Sequence, residues 1–503
     1  MTRNARGCRR VAPACVLAAL ALPAYATSHV FLVQNSGWME PFYTDPTSQY
    51  KPLIAEVVTA ATQPGDALVL AAFNQGVPGA PSPRALMARS VDDKPQREAV
   101  RAALAPLTVA RKPHSSALAD TDLGEAVGSA MTQALAGKPG LVWLFTNNKN
   151  SPNNDQATAQ RNREFYQLIH AGTAIRKAIA FPLHMPVKGE RYSANGLMVY
   201  VFAVQEQGQR ELDALLRSGR LQQVITEPPA RLKPLDQDTV RLVPTRVENV
   251  PGVTFATLPD GRLRADVDAQ ATANGPAPAA RITWRLENAI YPYTIAHARI
   301  AARSSLAGAV KPLALAHDEV AGLAPGKPQP LASTLELPVA NLPGKWSLAA
   351  LQSAGSAQVL PGRIDVQLSD QRLELSQAFR QRMATLFPGD PLPDIFTPPE
   401  RIQGSHAALP VEVRLQHGAA PLLAALGGLF ALLAAGAALL IAATRGRKVL
   451  VTVDGEQRTI HTKAGAKTPL YDRAGNQVAA LHTTLFGHKL TDLREGAQVR
   501  IGR

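Results

Sequence analysis

From Ala419 to Thr444 the chain carries no charged side chain, and residues 421–443 read PLLAALGGLFALLAAGAALLIAA. At a helical rise of about 1.5 Å per residue, such a stretch is long enough to cross the ~30 Å hydrocarbon core of a bilayer. A transmembrane helix is expected over 419–444. Arg445, Arg447 and Lys448 follow at once, while the preceding flank is nearly neutral. The positive-inside rule therefore predicts that 445–503 is cytoplasmic and that the larger N-terminal part lies outside. A chain of 503 residues divided in this way cannot be one compact unit.

The N-terminus points to export as well. Arg3, Arg6, Arg9 and Arg10 precede an apolar segment from Val11 to Leu22, and Ala24-Tyr25-Ala26 fits the small-x-small pattern cut by signal peptidase. A signal peptide is expected over 1–26, its apolar core being short for a membrane anchor. Both cysteines, Cys8 and Cys15, fall inside that leader, so the exported chain is expected to have neither a disulfide nor a cysteine metal ligand. A leader followed by a single span suggests a bacterial inner-membrane protein with its bulk in the periplasm.

Net charge is +14, but four of the arginines belong to the leader, and 445–503 holds eleven basic and five acidic residues. The part between them keeps only about +4. No basic stripe with interleaved aromatics occurs there, which argues against nucleic-acid binding.

Residues 29–42, HVFLVQNSGWMEPF, form an apolar run that breaks abruptly into Asn-Ser-Gly. That is the pattern of a buried parallel strand with a ligand site at its C-terminal end. Helical spacing over 49–62, 94–107, 122–135, 157–171 and 211–218 alternates with apolar strands at 67–73, 140–145, 175–183 and 197–204, and with an edge strand at 85–90. The alternation predicts an α/β doubly wound, mostly parallel, Rossmann-like sheet over 27–225, with helices on both faces. Pro228, Pro229 and Pro234 mark a linker at 226–238. Alternating residues punctuated by proline and glycine then predict a loosely immunoglobulin-like β-sandwich over 239–370. A helix and Pro-rich stalk are expected over 371–418, before the transmembrane helix, with packing of the segment against the sandwich as the alternative. Hairpin signals at Asp454-Gly455 and around Gly475 predict a small cytoplasmic β domain over 445–503.

Three loops of the α/β part resemble the metal-ion-dependent adhesion site of the von Willebrand factor A (vWA) family. The first family motif, Asp-x-Ser-x-Ser, falls on Gln34, Ser36 and Trp38; Thr121 to Ala126 looks like the Thr-x-Leu-x-x-Ala segment; and Leu144 to Asn148 resembles Leu-x-Thr-Asp-Gly, with Asn147 where the aspartate belongs. The resemblance implies a vWA-like fold with a degenerate site. Hard divalent cations need oxygen ligands with at least one carboxylate, and Gln34, Trp38 and Asn147 remove the usual anions, so no metal and no cofactor are expected. Gln34, Ser36, Trp38, Thr121 and Asn147 are the ligand-binding candidates, with a partner's carboxylate held directly by their hydroxyls, amides and nearby helix N-termini. Each also has a structural alternative: Asp122 and Glu125 have capping-box spacing, Asn35, Ser36 and Asn147 can satisfy turn backbone, and Trp38 can be core.

No Gly-x-Ser-x-Gly elbow, P-loop, dinucleotide fingerprint or His-Glu-x-x-His motif occurs. A serine hydrolase built on Ser36 would need His29, His114 or His184 to approach in space, and no catalytic residue is assigned. The expectation is a membrane-anchored protein-binding or scaffold module whose partner is another envelope or membrane protein. A transmembrane signal transducer is the alternative. Gly427, Ala431 and Ala435, like Ala424 and Gly428, place small residues on one helix face, where a homodimer could pack.

Overall fold

The computed structural model describes residues 26–150, 156–268, 277–337, 347–348, 352, 357–389, 392–400, 402, 404–416 and 419–502. The signal peptide expected over 1–26 lies outside the described residues except for Ala26. Within them the chain is multidomain and rich in strands, with mixed sheets and eight helices.

The N-terminal sheet is built around β1 (Ser28–Gln34), which pairs in parallel with β2 (Ala67–Phe73) on one side and β4 (Gly140–Thr146) on the other. β3 (Arg84–Ser90) lies antiparallel to β2 at one edge. Beyond β4 the order runs through β6 (Ser193–Val204) and β5 (Ile175–Lys188) to β7 (Ala230–Lys233), each pairing antiparallel. The expected mostly parallel sheet is therefore mixed, and parallel pairing is confined to β1, β2 and β4. The cause is local. β5 and β6 are joined by the short turn 189–192, and a turn of that length can only make a hairpin, whereas parallel neighbours need a long crossover.

Alternate residues of these strands face opposite cores. Phe31, Val33, Trp143 and Phe145 pack with α2 (Tyr50–Ala61), α3 (Arg97–Leu104) and α6 (Gln205–Arg217). Val30, Leu32, Val142 and Leu144 pack with α4 (Leu123–Ser129) and α5 (Gln156–His170) on the other face. A short α1 (Glu40–Thr44) follows β1 after a single 3₁₀ turn.

α7 (Gln377–Leu386) joins that second face, with Phe379, Met383 and Leu386 buried in the same cluster as Phe165 and Tyr200. A Cβ on Gly196 of β6 would stand 2.9 Å from Leu386 Cβ, so glycine is what lets this helix approach. In place of the Pro-rich stalk expected after a helix in 371–418, the described residues there are folded chain. Phe379, Met383 and Leu386 make an apolar helical stripe, and the segment that follows returns as a strand.

That strand, β17 (Ser405–Gln416), belongs to the second sheet. Its ten strands also include β8 (Val240–Val247), β9 (Val253–Thr257), β10 (Leu263–Asp268), β11 (Ala279–Asn288) and β12 (Tyr293–Leu306). β13 (Ala309–Leu315), β14 (Glu319–Leu323), β15 (Gln329–Glu336) and β16 (Ala357–Leu375) complete it. β17 lies between β16 and β10, antiparallel to the first and parallel to the second. Leu242 and Trp284 from one end of the strand order share a single core with Leu263 and Val413 near the other end, so the sheet folds over on itself.

α8 (Ala420–Thr444) is the one described helix long and apolar enough to cross a membrane. Leu429, Phe430, Leu432 and Leu433 are exposed along it, so the other described residues do not cover it. A small β unit follows at once. It holds β18 (Arg447–Val453), β19 (Glu456–Thr462), β20 (Lys467–Tyr471), β21 (Gln477–Thr483), β22 (His488–Thr491) and β23 (Val499–Ile501), in two three-stranded sheets around Val451, Val478 and Leu481.

Candidate functional site

β1 ends at Gln34, and the three loops after β1, before α4 and after β4 meet there. Asn35 N–H donates to Phe73 O at 2.9 Å and so extends the β1–β2 ladder by one step. At Gly37 the chain passes under the 118–121 segment. Gly37 N–H donates to Ala119 O at 2.8 Å, and a Cβ on Gly37 would stand 2.6 Å from Leu118 Cβ. Glycine is needed there for close approach rather than for an unusual φ.

Three of the five candidate side chains form one hydrogen-bonded cluster, which Asn147 joins through its backbone N–H. Gln34 Nε2 donates to Ser36 Oγ at 2.7 Å and to Thr121 Oγ1 at 3.1 Å, and Thr121 Oγ1 donates to Ser36 Oγ at 2.6 Å. Gln34 Oε1 accepts Asn147 N–H at 3.1 Å, while Asn147 Nδ2 donates to Trp38 O at 2.9 Å. Gln34, Ser36 and Thr121 have no exposed surface and Asn147 has 4%. One amide therefore uses both of its donors and its acceptor to join three loops. Beneath it, Tyr50 Oη donates to Gln34 O at 3.0 Å, and burial holds that phenol well above its ordinary pKa, so it stays a donor.

Burial changes what the cluster can do. Direct capture of a ligand by the hydroxyls of Ser36 and Thr121 or the amide of Gln34 is not what the geometry offers, because these groups are covered and already bonded to one another. Trp38 is the candidate that reaches the surface. Its ring lies 4.6 Å from that of Tyr192 and carries Lys149 Nζ at 4.3 Å from its centroid, and all three side chains are half-buried. The indole Nε1 is covered and has no hydrogen-bond partner.

The nearby acids are engaged elsewhere. Asp122 Oδ1 caps α4 by accepting Glu125 N–H at 2.9 Å, Asp120 pairs with Lys112 at 2.7 Å, and Glu125 Oε2 accepts Gly76 N–H at 2.9 Å. Glu125 thus leaves the reciprocal half of the capping box unmade. Among the described residues no group of three or more His, Cys, Asp or Glu side chains could hold a metal ion. His29 is at the opposite end of β1 from Ser36, and His114 and His184 are exposed whereas Ser36 is fully buried.

Two contributors were not singled out by sequence. Asn150 Oδ1 accepts Leu123 N–H at 3.0 Å and so fixes the start of α4. Glu40 is 7% exposed and accepts the backbone N–H of Glu190 at 2.8 Å, which secures the turn that brings Tyr192 to Trp38. No sequence signal pointed to the second, because the turn that Glu40 holds lies 150 residues away along the chain. No model of a known protein family matches the chain, and no curated protein compared with it does either.

Proposed function

We propose that the N-terminal unit is a degenerate, metal-free vWA-like module that binds another protein of the envelope or membrane, held at the bilayer by α8. The observation that carries this is the Gln34 amide. In the vWA family the three loops hold a divalent ion; here Gln34 links Ser36, Thr121 and Asn147 by hydrogen bonds alone. Such a bridge keeps the loops in register and needs no cation. What they then present is Trp38 against Tyr192, with the Lys149 ammonium over the indole. Aromatic side chains dominate binding energy at protein interfaces, and a flanking cation adds specificity. The basic residues after α8 orient the module towards the periplasmic side, in keeping with a scaffold or assembly role in a bacterial inner membrane.

The test is affinity purification of the tagged full-length protein from its native membrane, beside a Trp38→Ala/Tyr192→Ala variant. A partner recovered in defined ratio with the parent and lost with the variant, at unchanged melting temperature, is the expected result. Recovery of the same partner with both chains contradicts the assignment of that surface.

A further inference from the structure

Where α8 ends, the chain turns directly into a surface that the proposed function does not use. The helix ends at Thr444 and β18 begins at Arg447, with only Arg445 and Gly446 between. At most about 3.6 Å per residue separates the two, so the start of β18 lies within roughly 11 Å of the helix end. Arg447 pairs with Thr462 in the β18–β19 ladder, and Thr462 Oγ1 lies 3.0 Å from Thr483 Oγ1 at the end of β21. Thr483 leads into the β21–β22 turn. That turn is closed from both sides: Thr484 N–H donates to Gly487 O at 2.8 Å, and Gly487 N–H donates to Thr484 Oγ1 at 3.2 Å. Between the two closing residues stand Leu485, 39% exposed, and Phe486, 96% exposed.

A lone exposed phenylalanine is ordinary. The position of this one is not, because it shares the helix end of the unit with a set of cations. Arg445 lies in the link, Arg447 and Lys448 begin β18, Lys463 lies in the turn after β19, and Lys489 follows the tip, opposite His482. Three of the five acids lie at the far end, and Asp492, which follows β22, is neutralised by Lys467 at 2.6 Å. Asp454 and Glu456 flank the β18–β19 turn, Asp472 opens the turn after β20, and Glu456 is already paired with Arg458 and Arg473. Apolar tip and basic surround together match the boundary between acyl chains and anionic headgroups.

We propose that this end of the C-terminal β unit rests on the lipid leaflet that α8 leaves, with Leu485 and Phe486 in the headgroup–acyl boundary and the surrounding basic residues on anionic lipid phosphates. The proposal rests on α8 crossing the bilayer. The unit is then fixed against the leaflet rather than hanging free of it.

The test uses the full-length chain with Cys8 and Cys15 replaced by serine, carrying either Phe486→Cys at the tip or Ala474→Cys at the distal end. Each cysteine is labelled with an environment-sensitive fluorophore, and the protein is reconstituted in vesicles of phosphatidylcholine or of phosphatidylcholine with phosphatidylglycerol. A nitroxide in the upper acyl chain is expected to quench the label at 486 several-fold more than the label at 474. The difference should widen with phosphatidylglycerol and lose that increment in a Lys463→Glu/Lys489→Glu background. Equal quenching at the two positions, with the chain resisting alkaline carbonate extraction, overturns the leaflet contact and leaves the span intact. Extraction by carbonate overturns both. Tip fluorescence that follows the protein-to-lipid ratio, without lipid quenching, assigns the tip to a second copy and also overturns it.

Discussion

Glu40 Oε1 accepts the backbone N–H of Glu190 at 2.8 Å, and this one bond ties the helix after β1 to the hairpin between β5 and β6. The other carboxylate oxygen lies 3.4 Å from the N–H groups of both Arg191 and Tyr192. Gly189 is what admits the acid, since a Cβ there would stand 2.0 Å from Glu40 Oε2. Through this turn the buried acid sets the position of Tyr192 against Trp38.

Glu40→Ala is expected to destabilise the protein by about 1–3 kcal/mol, because it leaves turn N–H groups without their acceptor. Gly189→Ala is expected to do so too, by driving the carboxylate out. The two should not add: in the Glu40→Ala background the carboxylate that the extra methyl would meet is gone, and Gly189→Ala should become nearly neutral. Chemical denaturation of the four variants of this cycle measures the coupling, and simple additivity would contradict the contact.

Gln34→Ala removes an amide that makes three hydrogen bonds in a site with no exposure. A loss of roughly 2–4 kcal/mol is expected. Gln34→Glu places a carboxyl among the same groups, where burial raises its folded pKa above the ordinary value of about 4.3. A raised acid is destabilising when ionised, so the deficit of Gln34→Glu against the parent should grow as pH rises from about 4 to about 7. A deficit independent of pH would show that the cluster is open to water.

At the opposite end of β1, Asp66 Oδ2 lies 3.6 Å from His29 Nε2 and accepts Gln63 N–H at 2.7 Å, and Asp66 Oδ1 accepts Thr27 N–H at 2.8 Å. Burial alone would raise this carboxyl, but the hydrogen bonds from His29, Thr27 and Gln63 outweigh it and hold the pKa below the ordinary 3.8. The folded form therefore gains stability from Asp66 above pH 3.8, and loses it as pH falls further, through the lowered folded value. Asp66→Asn should flatten that acid limb of a stability profile. Identical limbs in parent and variant would contradict the assignment.

Phe379→Ala is expected to cost about 3–5 kcal/mol, the usual penalty for emptying a buried aromatic site. Gly196→Val should destabilise as well, by pushing Leu386 off β6. If either leaves the melting curve unchanged, residues 377–386 are not part of the N-terminal core.

Local pattern made much of this architecture legible. The run before Asn35, the apolar strand at 140–145 and the uncharged segment 419–444 each declare themselves over a few residues. Bringing Gln34, Ser36, Thr121 and Asn147 together depended on three loops, and it was the resemblance of those loops to the vWA motifs that nominated them. Their burial was not legible, because whether a polar loop residue faces solvent or its neighbours is decided by what folds over it, here the 118–121 segment and Trp38. The β5–β6 hairpin was hidden because a buried antiparallel strand reads like a buried parallel one. The docking of α7 and the whole of β17 were missed because the prolines between them suggested an extended stalk, while the surfaces they pack on lie far away in sequence.

The claim on which the rest depends is that an amide, not a cation, joins the three loops. Isothermal titration of the full-length protein, solubilised with α8 intact, with magnesium and then manganese measures this directly. No heat of binding, and an unchanged melting temperature with either ion, is the expected result. A micromolar site for either ion, abolished by Ser36→Ala or Thr121→Ala, would contradict it.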